Sequence, residues 1–244
     1  MRFSIRHEFK YTYDSPVRLS TQYLRLVPRD TVRQKVLAWQ LDTPAPALRT
    51  TDGYGNVLHV LTIDKPASAI DIVAAGSVET TSTRDEPSDF TGAPLPPLVF
   101  LRPTQLSRAD DKLATFAEKF RDLGETLPKL RGLAQTIRAR DPNGSAADVV
   151  HTFIACCRHL GVPARYVSGY FYAAGVAAMH AWSEAWVGDR WHSFDVARDK
   201  PVGETHIKIA VGADYLDACP VRGVRVGGGT ETLVAQAHVE ASQQ

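Results

Sequence analysis

A chain of 244 residues with 44% apolar and 23% charged side chains is long enough for one large domain or two small ones, and its formal net charge of +1 supplies no global field to draw it to nucleic acid or an anionic membrane. Three cysteines, at 156, 157 and 219, are an odd count with two adjacent. They make a poor disulfide framework and fit a reducing compartment. The N-terminus MRFSIRHEFK has no apolar signal core, and no uninterrupted apolar run is long enough to cross a bilayer, so a soluble cytoplasmic protein is expected.

The first third reads as strands. Phe3, Ile5, His7, Phe9, Tyr11 and Tyr13 occupy alternate positions, the period of a half-buried strand. QYLRLVP and KVLAWQLD are further strand candidates. RTTDGYGNVLHVLTID holds a turn between two strand-like runs and predicts a hairpin. AIDIVAAGSVETT is one more strand. Residues 1–85 are therefore expected to form an all-β sandwich or barrel. Pro87, Pro94, Pro96, Pro97 and Pro103 mark residues 86–103 as a linker or extended crossing segment.

Helical periodicity follows at about 107–123, with Leu113, Phe116, Ala117 and Phe120, and again at about 129–140. A third helix is the most apolar. Val149, Val150, Phe153, Ile154, Cys157 and Leu160 follow helical spacing, with Gly161 and Pro163 as terminators. Its start is GSAAD, where Ser145 can cap and Asp148 sits three residues on, a capping-box pattern.

After the strand-like ARYVSGYFY comes MHAWSEAWVGDRWHSFDVARD, in which Gly188-Asp189 is a turn between two strands. If Val187 faces Arg190, Trp182 lies opposite Asp195 and His180 is the diagonal neighbour of Asp195. His180, Trp182, Trp191 and Asp195 then share one sheet face. Diagonal neighbours lie roughly 7–8 Å apart at Cα, within reach of a His–Asp hydrogen bond. An aspartate holding one imidazole nitrogen leaves the other free as a base. Taken alone, the pair reads equally well as a satisfied structural contact beside two Trp rings. His151 and His159 are eight apart on one helix, and His192 falls on the opposite strand face from His180. Neither arrangement has metal-ligand spacing, so no metal and no cofactor are assigned.

RHLGVPARYVSGY, HAWSEAWV and WHSFD resemble the bacterial transglutaminase-like family. YTYDSPVRLSTQYLRLVPR and TDGYGNVLHVLTI resemble its accessory β domain, and HIKIAVGADYLDACPVRGVRVGGG its closing strands. The resemblance covers most of the chain. It implies an α+β protein, an N-terminal β domain followed by a papain-like core over 104–244, with a Cys-His-Asp triad. Carried over, the base is His180 and the orienting acid Asp195, with Trp182, Asp148 and His151 as cleft neighbours. The nucleophile motif Gly-x-Cys-x-Asp, followed shortly by His, matches Gly144, Asp148 and His151 but has Ala146 where the cysteine belongs. Val196-Ala197 stands in place of the family's Pro-Thr, and the joint before Gly144 is short. Three departures together favour natural loss.

The expectation is a non-catalytic protein that binds a peptide, amide or protein partner in a vestigial cleft. The alternative is a cysteine amidase, peptidase or acyltransferase whose nucleophile has been exchanged for Ala146. Cys156 lies ten positions beyond Ala146, about 15 Å along a helix, so it is expected to be a buried small hydrophobe rather than a substitute nucleophile.

Overall fold

The computed structural model describes residues 1–82, 85–86, 95–122, 124–173 and 176–242. Pro87, Pro94 and Leu123 lie outside them. The alternation seen from Phe3 belongs to a single 26-residue strand, β1 (Arg2–Val27), which takes in QYLRLV as well. At about 3.3 Å per residue such a strand is too long to keep one set of neighbours. Its first half pairs with β5 (Ala67–Thr80) and its second with β4 (Val57–Ile63). The sheet continues through β2 (Gln34–Asp42) on β5 and β3 (Ala47–Thr51) on β4. The result is one curled sheet organised along β1.

Two strands from the far end of the chain complete it. β11 (Val221–Gly227) pairs with the second half of β1, and β12 (Glu231–Ser242) with the first. Residues 221–242, expected within the core, thus lie in the N-terminal sheet. The physical reason is edge pairing, which leaves no mark on the local pattern of either strand. Burial along β1 splits accordingly. Phe9, Tyr11 and Tyr13 join one hydrophobic cluster, whereas Phe3 and Ile5 pack into the cluster that also holds the helices.

The second sheet has the order β10 (His206–Gly212), β7 (Ala164–Ala173), β8 (Val176–Val187), β9 (Arg190–Phe194), β6 (Asp85–Glu86). α3 (Ala146–His159) lies on it, with Val149, Val150, Phe153 and Ile154 buried against Ala164, Tyr166, Ala181, Ala185 and Phe194. Small residues on β8 let the helix approach closely. α2 (Thr126–Arg140) begins three residues earlier than its periodicity predicts, with Pro128 in the first turn, where a missing N–H costs nothing. α1 (Asp111–Glu118) is shorter than predicted. Thr104 and Ser107 hydrogen-bond each other in a turn, and Asp110 is the residue that caps, accepting the Leu113 N–H at 2.7 Å.

The opposite face of the sheet carries buried charges beside the Trp182 and Trp191 rings. Arg165 and Lys208 both meet Glu184 there, at 2.5 Å each, and the Arg165 guanidinium lies 4.0 Å over the Trp191 ring. Among the described residues no helix is long and apolar enough to cross a membrane.

Candidate active site

The β8–β9 hairpin has the expected register. Val187 pairs with Arg190, Trp186 with Trp191 and Ser183 with Phe194. Gly188 (φ 57°) and Asp189 (φ 61°) form the two-residue turn, and both left-handed positions are filled by residues that tolerate them. One residue beyond β9, Asp195 meets His180. Nε2 of His180 lies 2.9 Å from Oδ2 of Asp195, whose side chain is fully buried. Trp182 packs with Val167, Val202 and Val211, and its Nε1 has no hydrogen-bond partner among the described residues.

A second histidine reaches the same carboxylate. Nε2 of His206, at the start of β10, is 3.0 Å from Asp195 Oδ2, while Oδ1 accepts the Arg198 N–H at 3.2 Å. The Arg198 guanidinium stacks 3.5 Å over Phe171, whose ring also abuts both histidines. Burial pushes the Asp195 carboxyl up, but the hydrogen bonds from His180 and His206 outweigh it and hold the group below the usual carboxylate range. Burial holds the His206 imidazole below its ordinary value, against the opposing pull of Asp195.

The donor atoms of His180, Asp195 and His206 lie within 4.8 Å of one another, close enough for one cation. The tautomer argues for a hydrogen-bonded cluster instead. The Gly203 N–H donates to Nδ1 of His206 at 3.2 Å, so in the neutral ring Nε2 carries the proton and donates to Asp195. A ligating histidine would offer that nitrogen bare and donate from the other. Sequence reasoning missed His206. Its only local signal is an alternate position with Lys208 in HIKIAVG, and nothing in that run ties it to Asp195.

The head of α3 is capped by Ser145. Ser145 Oγ accepts the Asp148 N–H at 3.1 Å and donates to the Asp148 carboxylate at 2.7 Å. Ala146 occupies the first turn and packs against the cluster beneath α3. His151 stacks on Tyr166, with ring centroids 5.0 Å apart, and accepts the Tyr215 N–H at 3.2 Å. α3 meets β8 through Ala181 and Ala185, and His180 and Trp182 take the intervening positions, on the strand's other face. The structure therefore groups His180, Asp195 and Trp182 and adds His206. Asp148 is committed to the cap and His151 to Tyr166 and Tyr215.

All three cysteines are free and buried. Burial pushes the Cys156 thiol up to about 12 and Cys157 well above its ordinary value, so neither is a thiolate near neutral pH. Beside Asp195 lies a cavity of about 310 Å³ between α2 and the segment after β9, lined among others by Arg131, Gln135, Phe194, Lys200 and Val202.

Comparison with known proteins follows the same division of the chain. Residues 3–79 match the model of the bacterial transglutaminase-like N-terminal region, and residues 105–196 match that of the transglutaminase-like superfamily. An uncharacterized protein of Mycobacterium leprae (strain TN) is 26% identical over 269 residues, covering 95% of this chain and 96% of its own. One from Mycobacterium tuberculosis (strain ATCC 25618 / H37Rv) is 27% identical, covering 91% and 87%. A solved structure from Cytophaga hutchinsonii, described as a candidate cysteine protease, superposes with a TM-score of 0.76 at 24% identity, over 98% of this chain and 89% of that one. With a curled β sheet preceding a papain-like core, and both family models matched in order, the chain belongs to the bacterial transglutaminase-like family.

Proposed function

We propose that this protein binds a peptide in the cleft of a transglutaminase-like core and leaves it chemically unchanged. The observation that carries the reading is the pairing of an intact base with an alanine. His180 and Asp195 stand 2.9 Å apart, oriented as a base and its acid. The position that the family motif gives to a thiol is Ala146, whose methyl has no lone pair with which to attack a carbonyl. The buried cysteines do not replace it: the thiols of Cys156 and Cys157 are held protonated by burial, and Cys219 is buried with its thiol donating to the Val221 carbonyl. The cavity beside Asp195 offers what a peptide segment needs: an apolar floor of Phe194 and Val202 with Arg131, Gln135 and Lys200 at the rim.

Titration of acetylated tetrapeptide amides, followed by amide NMR, tests the reading. Saturable shifts at Gln135 and Lys200, with each peptide recovered unaltered, are expected. Absence of shifts with every peptide, or recovery of cleaved or deamidated peptide, would contradict it.

A further inference from the structure

We infer that His206 is the positioning residue of this site: it holds the Asp195 carboxylate from behind and so sets the direction in which His180 presents its second nitrogen. The inference rests on the His180–Asp195 pair and not on the identity of residue 146, so it stands whether or not the cleft binds peptides.

The geometry forms a chain of donors. Arg33 Nη1 donates to the Gly203 carbonyl at 3.1 Å, bracing the turn before β10. The Gly203 N–H in turn donates to His206 Nδ1 at 3.2 Å, which leaves the proton on Nε2. That N–H donates to Asp195 Oδ2 at 3.0 Å, and the same oxygen accepts from His180 at 2.9 Å. His206 is 3% exposed and cannot swing away. Phe171 lies 4.9 Å from its ring centroid and Trp182 stands edge-on at 5.4 Å. A carboxylate buried this deeply needs its donors, and two of its contacts are imidazole N–H groups that differ in burial. His206 is walled in, whereas the His180 side chain keeps 11% exposure. The more enclosed partner therefore places the oxygen, and the oxygen places the His180 ring. Through Arg33, in the turn just before β2, the N-terminal part of the chain takes part in holding the site.

The charged and titratable groups facing the cluster are Asp195, His180, Arg198 and Arg33. Both cations are present at every pH of interest, so the protons that move belong to the His180–Asp195 pair and to His206. A neutral donor to the carboxylate stabilises its anionic form. Removing that donor increases the proton affinity of the pair as a whole, because the anion then depends more on protonated His180.

Long-range ¹H–¹⁵N NMR of the histidine rings tests the inference. In the wild type, neutral His206 is expected as the Nε2–H tautomer. The Nδ1–H tautomer would overturn the inference, and this reading needs no variant. His206→Phe keeps the ring and removes the donor. It is expected to raise the apparent pKa of the His180–Asp195 pair by about one unit, the size of a single donor to a buried charge. His206→Gln, whose amide reaches the Nε2 position, is expected to restore the wild-type value. Identical His180 titrations in the wild type and a folded His206→Phe would show that His206 only fills space, and would overturn the positioning role. If His206→Phe does not fold, a His206→Gln titration that departs from wild type by about one unit would overturn it equally.

Discussion

His7 and Tyr170 meet where the two sheets join: Nδ1 of the imidazole lies 3.0 Å from the tyrosine hydroxyl, and both side chains are buried. Burial lowers the His7 pKa from 6.5 to about 4. Above pH 6.5 the folded and unfolded chains both carry it neutral, and it contributes no pH dependence. Between 6.5 and about 4 the unfolded chain takes up a proton that the folded chain refuses, so stability falls as pH falls and levels off below 4. The full loss is about 3 kcal/mol. Urea unfolding at pH 7.5 and 4.5 checks it. His7→Phe is expected to lose about 2 kcal/mol less than wild type between these two values, and an equal loss in both would reject the assignment.

Arg158, near the end of α3, stitches four segments together. Its guanidinium donates to the carbonyls of Phe100 at 2.8 Å, Ala164 at 2.9 Å and Ala213 at 2.6 Å, and to the Ser107 hydroxyl. Arg158→Ala leaves these acceptors buried without their donor and is expected to cost about 3 kcal/mol or more. Arg158→Lys is expected to recover little, since an ammonium lacks the planar fork that reaches several carbonyls at once. Thermal unfolding of the two variants against wild type provides the check.

Gly169 on β7 pairs with His180 and has no room for a side chain. A Cβ there would stand 2.1 Å from the Ile207 carbonyl oxygen and 2.6 Å from the Trp182 ring. Gly169→Ala is expected to destabilise the fold by about 1–3 kcal/mol and to displace Trp182 and with it His206. Trp fluorescence under denaturant reports both effects together. An unchanged midpoint would mean that β10 moves freely, against the close packing seen here.

How much of this was legible in the sequence follows from range. The His180–Asp195 pair was legible because both residues sit on one hairpin, whose register is set by the Gly188-Asp189 turn. The Ser145 cap on the Asp148 N–H was legible for the same local reason. His206 was not, because its contact with Asp195 passes through β10 and β7 rather than along a hairpin. The pairing of β11 and β12 with β1 joins residues more than 190 positions apart, and no local period encodes it. Helix α1 was misjudged in length because the Thr104–Ser107 turn competes with helix for the same backbone groups.

A thiol placed at the head of α3 probes the proposed vacancy. Ser145 and Asp148 form the cap without help from residue 146, so Ala146→Cys is expected to leave stability within about 0.5 kcal/mol of wild type. If the position is the family's nucleophile site, the helix N-terminus lowers the pKa of that thiol below the ordinary value of about 8.5. Alkylation rate against pH reads the pKa, and adding His180→Ala is expected to leave it unchanged, because His180 lies on the face of β8 turned away from α3. The three native thiols, all buried, supply the slow background.

The central claim is that the chain holds a His180–Asp195 pair, has Ala146 at the family's nucleophile position and leaves a bound amide unchanged. Ammonia release from a glutaminyl peptide, with water or a primary amine as acceptor, tests it most directly. No release is expected from the wild type. None is expected from Ala146→Cys either, because His180 lies on the face of β8 turned away from α3. Turnover by the wild type that His180→Ala abolishes would contradict the claim, because a nucleophile other than residue 146 would then be at work.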